Sequence, residues 1–185
     1  MSVRPAIDEA VSIRPIRDDD HDRLRDHHER LSPESRYRRF LAAKPQLTSA
    51  DARYLVEIDG CDHFALVATL PEVEGEPIVG VARFVRLPGD REVAEVAVVV
   101  NDAYQRRGMG AELVSRLAQE AVARGVRRFR ATMLADNPAI HRLLENLAAG
   151  PVQRRRIGGL SEMEFPLPGA ESAGADCGDA ALAAI

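Results

Sequence analysis

Cysteine is scarce in this chain: Cys61 and Cys177 are its only two, too few and too far apart for a disulfide scaffold or a zinc cluster. No stretch approaches the roughly 18 apolar residues of a membrane span. The start, Met1-Ser2-Val3-Arg4-Pro5, has no apolar signal region behind it. These absences predict a cytoplasmic protein with no membrane partner and no metal. A basic surplus is missing too, since the formal net charge is -4, and that argues against nucleic acid as a ligand. Lysine is nearly absent, with Lys44 alone. Arginine carries the positive charge, and runs such as Arg36-Tyr37-Arg38-Arg39 and Arg154-Arg155-Arg156 read first as solvated faces and second as phosphate contacts.

What is present describes a folded chain. Hydrophobic residues make up 45% and charged residues 29% of 185 positions, enough for one domain. Ser12 to Ile16 reads as a short strand, and Asp18-Asp19-Asp20 as the start of a helix. His21 to Leu31 is a polar helix, on which His21, His27 and His28 read as surface residues. Ser32-Pro33 caps a second helix reaching about Leu41, and Thr48-Ser49-Ala50-Asp51 opens a third. Phe64 to Ala68, Ile78 to Phe84 and Glu92 to Val100 are β-type runs joined by proline- and glycine-rich turns. Leu113, Leu117 and Ala121 then line one face of a helix stopped by Gly125. A strand from Phe129 to Leu134, a helix opened by Asn137-Pro138, and two closing strands complete a mixed α/β order.

The informative junction is Val98-Val99-Val100-Asn101-Asp102-Ala103-Tyr104-Gln105-Arg106-Arg107-Gly108-Met109-Gly110-Ala111. A strand ends, a loop rich in arginine and glycine follows, and a helix begins. Gly108 and Gly110 let a ligand approach the backbone, while the free N–H groups and dipole of the helix start favour a phosphate. A dinucleotide fingerprint would need a third glycine where Leu113 stands. A P-loop would need a lysine after the last glycine, and there is none.

The strand–Gln-x-x-Gly-x-Gly–helix pattern, with its flanking elements over about residues 10 to 166, resembles the GNAT N-acetyltransferase superfamily, most closely the catalytic domains of bacterial protein-lysine acetyltransferases. The resemblance implies a mostly antiparallel, mixed sheet of six or seven strands with helices on both faces, and acetyl-CoA as co-substrate. It implies that the strand before the loop splays from its neighbour at a bulge and that pantetheine bonds to main-chain groups of Val98 and Val100. The pyrophosphate would lie on the N–H groups of Arg106, Arg107, Gly108, Met109, Gly110 and Ala111, in the loop that Gln105 opens. Asn137 matches a position that faces the pantetheine arm, and it also suits a helix cap.

Acetyl transfer requires a neutral amine, whereas a lysine-type amine has a pKa of about 10.4. A carboxylate near the thioester can take its proton, directly or through water. Glu95, in Ala94-Glu95-Val96-Ala97, is the candidate; burial in an apolar strand would raise its pKa. An ion pair with Arg83 is the structural alternative, and Glu92 is the reserve base. The tyrosine that many members carry seven residues after the asparagine is Leu144 here, so the general acid is unassigned among His141, Tyr104 and water.

The expected activity is transfer of acetyl to a primary amine in a ternary complex, with a protein lysine ahead of a small polyamine or antibiotic amine. A non-catalytic acyl-CoA sensor is the competing class, and the state is monomer or homodimer. Residues 1–166 form the domain. Residues 167–185 carry Glu171, Asp176 and Asp179 with seven alanines, three glycines and no basic residue, a composition that predicts a mobile acidic appendage.

Overall fold

In the computed structural model, which describes residues 10–172, one seven-stranded sheet organises the chain. The strands are β1 (Ser12–Pro15), β2 (His63–Thr69), β3 (Ile78–Leu87), β4 (Asp90–Val100), β5 (Arg128–Leu134), β6 (Gln153–Ile157) and β7 (Leu160–Pro166), in the spatial order β1-β2-β3-β4-β5-β7-β6. Every neighbouring pair is antiparallel except β4 and β5. The exception follows from connectivity. Helix α4 (Met109–Ala123) carries the chain from the end of β4 back to the start of β5, and such a crossover restores strand direction.

Alternation along the strands divides the core. Leu66, Ala68, Ala82, Phe84, Ala94 and Val96 pack with Leu113 and Leu117 of α4 and Leu144 of α5 (Pro138–Leu147). Ala65, Val67 and Val81 face the other way, onto Leu24 of α1 (His21–Glu29) and Val56 of α3 (Ser49–Val56). Helices therefore cover both faces. On the α4 face, Phe84 and Phe129 approach with centroids 6.2 Å apart although β4 runs between their strands, and Ala94 is the small β4 residue paired with Phe129.

Local signals act as the sequence suggests. Ser32 caps α2 (Pro33–Phe40) by accepting from the Ser35 N–H, with Pro33 at the first helical position. Gly125 ends α4 at φ 87°, and Val126 N–H returns to the Ala121 carbonyl at 3.0 Å.

Three expectations change. His27 and His28 are buried, not surface residues, because α1 packs against β3 and α3 and His28 also meets Phe40 of α2. His28 Nε2 donates to the Lys44 carbonyl at 2.9 Å, and the His27 ring lies against the Ile78 main chain. The packed body also extends beyond Pro166. Leu167 is 2% exposed, its N–H donates to the Arg127 carbonyl at 2.9 Å, and Ala170 is buried with it. The remainder of the expected appendage, 173–185, lies outside the described residues. Finally, the register between β3 and β4 runs unbroken from Gly80/Val100 to Arg86/Ala94, so no bulge accompanies the splay described next.

Candidate active site

Strands β4 and β5 share only three partner pairs, Val93/Arg128, Ala94/Phe129 and Glu95/Arg130. Beyond them β4 continues along β3 to Val100, while β5 continues along β7 to Leu134. Each strand is then paired on one side only, and a cavity of about 390 Å³ occupies the opening.

The main-chain groups that face this opening follow from the ladder. Asn101 N–H donates to the Val79 carbonyl at 2.8 Å, and antiparallel partners exchange hydrogen bonds at every second pair. The groups of β4 that bond to β3 therefore belong to Val99, Ala97 and Glu95. Those of Val98 and Val100 point into the opening, and both residues line it. One of these groups is already taken, since the Val100 carbonyl accepts from Gln105 Nε2 at 2.9 Å.

The loop at the head of the cavity is held by side chains from α2. Asp102 accepts from the Ser32 N–H at 2.9 Å and from the hydroxyls of Ser32 and Ser35 at 2.9 and 2.8 Å. Partial burial would raise the Asp102 carboxyl, but these three donors hold it below the ordinary carboxylate range. Arg106 and Gly108 adopt left-handed φ values of 60° and 86°; a Cβ at Gly108 would meet nothing within 4 Å, so its requirement is conformational. Gly110 is different: a Cβ there would stand 3.3 Å from Leu143 Cδ1. The first N–H of the helix to reach a backbone acceptor is that of Glu112, on the Gly108 carbonyl at 3.0 Å. Among the described residues, the N–H groups from Arg106 to Ala111 have no hydrogen-bond partner, which is an anion cradle at a helix start.

The structure brings most of the expected residues together. Val98, Val100, Gln105, Arg106, Gly108, Gly110, Ala111 and Asn137 all line the cavity. Asn137 also caps α5, its Oδ1 accepting from the Ile140 N–H at 3.4 Å. Arg107 and Met109 turn the other way, into a second depression shared with Tyr104 and Arg116. Leu144 fills the position where a tyrosine was sought and lines the cavity; His141 and Tyr104 do not. Glu92 is committed to Arg127 at 3.0 Å, away from the opening.

Glu95 is not buried as expected. Ala94 and Val96 point to the α4 face, which sends Glu95 to the opposite face at the point where the β4–β5 ladder ends, and there it is exposed. Nor does it pair with Arg83. That guanidinium donates from Nη1 to His63 Nε2 at 2.9 Å and from Nη2 to the Leu55 carbonyl at 3.1 Å. Arg39, on the cavity side of α2, was missed as a site residue; its spacing from Ser35 and Arg38 puts all three on one helical face. Partial burial lowers the Arg39 guanidinium to about 10, and the charge of Glu95 opposes that shift, so Arg39 remains a cation at neutral pH. Among the described residues no three His, Cys, Asp or Glu side chains gather as metal ligands, and no helix is long and apolar enough to cross a membrane.

Comparison with known proteins agrees with this geometry. Residues 20–148 match the sequence model of the Acetyltransferase (GNAT) family. Acetyltransferase Pat of Mycolicibacterium smegmatis is 36% identical over 156 residues, covering 83% of this chain and 45% of that protein, so the chain spans less than half of this relative. The crystal structure of the GNAT domain of S. lividans PAT superposes with a TM-score of 0.75 at 32% identity, covering 85% of this chain and 90% of that one. The yncA protein of Salmonella typhimurium, solved with its cofactor acetyl-CoA, shares the fold with a TM-score of 0.65 at 22% identity, covering 91% of this chain and 99% of that one. Pattern, topology and relatives converge: this chain belongs to the GNAT family of acetyltransferases.

Proposed function

We propose that this chain transfers acetyl from acetyl-CoA to a primary amine, with a protein lysine as the leading acceptor, by direct attack in a ternary complex. One observation carries the reading: the Val98 main chain and the Val100 N–H border the same cavity as Arg106, Gly108, Gly110 and Ala111, whose N–H groups have no partner among the described residues. An extended amide-bearing arm ending in a pyrophosphate complements both. The pantetheine amides would take the place of the β5 ladder along β4, using the Val98 carbonyl and the Val100 N–H, while the pyrophosphate would rest on the loop.

The chemistry then falls at the far end of that arm. The amine nitrogen bonds to the thioester carbon, the carbon–sulfur bond breaks, and the sulfur leaves as thiolate or thiol. Glu95 would receive the amine proton, directly or through water. The Val98 N–H, aimed into the opening, is the candidate donor to the developing oxyanion. A CoA thiol with a pKa near 8.5 departs without a dedicated acid, which suits Leu144 in the tyrosine position. A lysine acceptor is what the resemblance to bacterial protein-lysine acetyltransferases implies.

The test is a thermal shift with acetyl-CoA alongside thiol release over a panel of amines. Stabilisation by acetyl-CoA with amine-dependent thiol release is expected. Stabilisation without release on any amine would overturn transfer in favour of an acyl-CoA sensor.

A further inference from the structure

Helix α2 presents Ser35, Arg38 and Arg39 to the cavity. Two of these are satisfied within the protein: Ser35 joins Asp102 and Gln105, and Arg38 pairs with Glu34 at 2.6 Å. Arg39 has no ion-pair partner among the described residues; its guanidinium carbon lies 4.9 Å from the centroid of the Phe40 ring. Behind it stands a second uncompensated cation. Arg83 is 5% exposed and, among the described residues, bonds only to the His63 imidazole and a carbonyl and leaves its Nε without a partner. The two guanidiniums lie close enough to repel one another. Glu95 is a carboxylate whose field reaches both Arg39 and Arg130, without an ion pair to either among the described residues. Arg39 therefore stands at the cavity wall with no ion-pair partner among the described residues, while Arg83 and Glu95, outside the cavity lining, act on it only through their charge. Evolution of a stable core does not require that arrangement, since a half-buried unpaired charge costs stability.

We propose that the acceptor carries a carboxylate close to its reactive amine, and that Arg39 binds this carboxylate while Glu95 receives the ammonium. This rests on the transfer reading above and names the acceptor class of the same site. An acceptor bearing both charges answers both sides of the cluster. A guanidinium fork takes a carboxylate through two parallel N–H donors, and holding that group fixes the direction from which the amine nitrogen approaches the thioester. The same chemistry has two sources: the α-carboxylate of a free amino acid, or an acidic side chain beside a lysine in a protein.

The experiment compares matched acceptors on the full chain with saturating acetyl-CoA. One pair is free lysine and lysinamide; the other is a lysine peptide with an aspartate neighbour and the same peptide with asparagine. Wild type is expected to favour the carboxylate member of one pair by about tenfold or more in kcat/KM, the size of one charge-assisted hydrogen bond. The pair that shows it identifies the source. Arg39→Ala should reduce that ratio to about one, chiefly through KM for the acid, and Arg39→Lys should restore part of it. Equal rates for acid and amide in both pairs, or a preference that survives Arg39→Ala, overturn the proposal while leaving acetyl transfer intact. Absence of thiol release with every amine would instead overturn the transfer reading, and this proposal with it.

Discussion

Gln105 folds back on the strand that leads into its own loop, donating from Nε2 to the Val100 carbonyl at 2.9 Å and to the Ser35 hydroxyl at 3.2 Å. One amide thus joins the end of β4, the loop and α2. The cradle of free N–H groups between Arg106 and Ala111 is held open by this bond and by the Asp102 bonds to Ser32 and Ser35. A preformed cradle spares a ligand the cost of ordering the loop.

Gln105→Ala should therefore weaken acetyl-CoA binding without disturbing the core. A lost neutral hydrogen bond of about 1 kcal/mol corresponds to roughly fivefold in Kd. Isothermal titration checks the affinity, and a melting temperature close to that of wild type separates loop loosening from unfolding. An unchanged Kd would mean that the Asp102 bonds suffice.

Glu95→Gln should lower turnover by about 10²- to 10⁴-fold, the usual size of a general-base contribution. The affinity for acetyl-CoA should stay the same, because Glu95 precedes the β4 residues that line the cavity, which begin at Val96. Stopped thiol release with intact binding is the expected pattern. Wild-type rates would return the proton to bulk water.

Acid should destabilise the fold through its buried imidazoles. Burial pushes His27 down to about 4 from the ordinary 6.5, and burial together with Arg83 pushes His63 down to about 4. The fold favours the neutral rings, so their stabilisation is complete above pH 6.5 and is lost as pH falls toward 4. For His27 the loss runs at about 1.4 kcal/mol per pH unit. Since burial is the chief cause of the His27 shift and outweighs the opposing influence of the Ile78 main chain, His27→Phe should flatten the decline in melting temperature below pH 6. A slope identical to wild type would assign the acid sensitivity elsewhere.

Truncation after Pro166 should lower the melting temperature, because Leu167 and Ala170 belong to the main core. Leu167→Ala isolates the effect and should cost about 2–5 kcal/mol. If both leave the transition in urea unchanged, the segment contributes no packing energy in solution.

The order of elements was legible because it is written in local chemistry. Ser32-Pro33, the glycine after α4 and the apolar spacing of Leu113, Leu117 and Ala121 act within a few residues of themselves, and each appears in the structure where the pattern placed it. The anion cradle was legible for the same reason. A helix start with Gly108 and Gly110 leaves free N–H groups whatever the rest of the chain does.

Exposure is another matter, because a periodic pattern assigns a residue to a face and says nothing of what covers that face. Glu95 lies among valines and alanines, yet it is exposed because the β4–β5 ladder stops beside it. His27 and His28 lie on a polar stretch, yet they are buried because other segments close over α1. Arg39 looked like one of several solvated arginines; only the placement of α2 against the end of β4 put it beside the cavity without a counter-ion. By itself the sequence determined the helices, the strands and the phosphate-suited loop through short-range hydrogen bonding and periodicity. The tertiary structure decided which charges meet, since pairing, burial and strand splay depend on segments tens of residues apart.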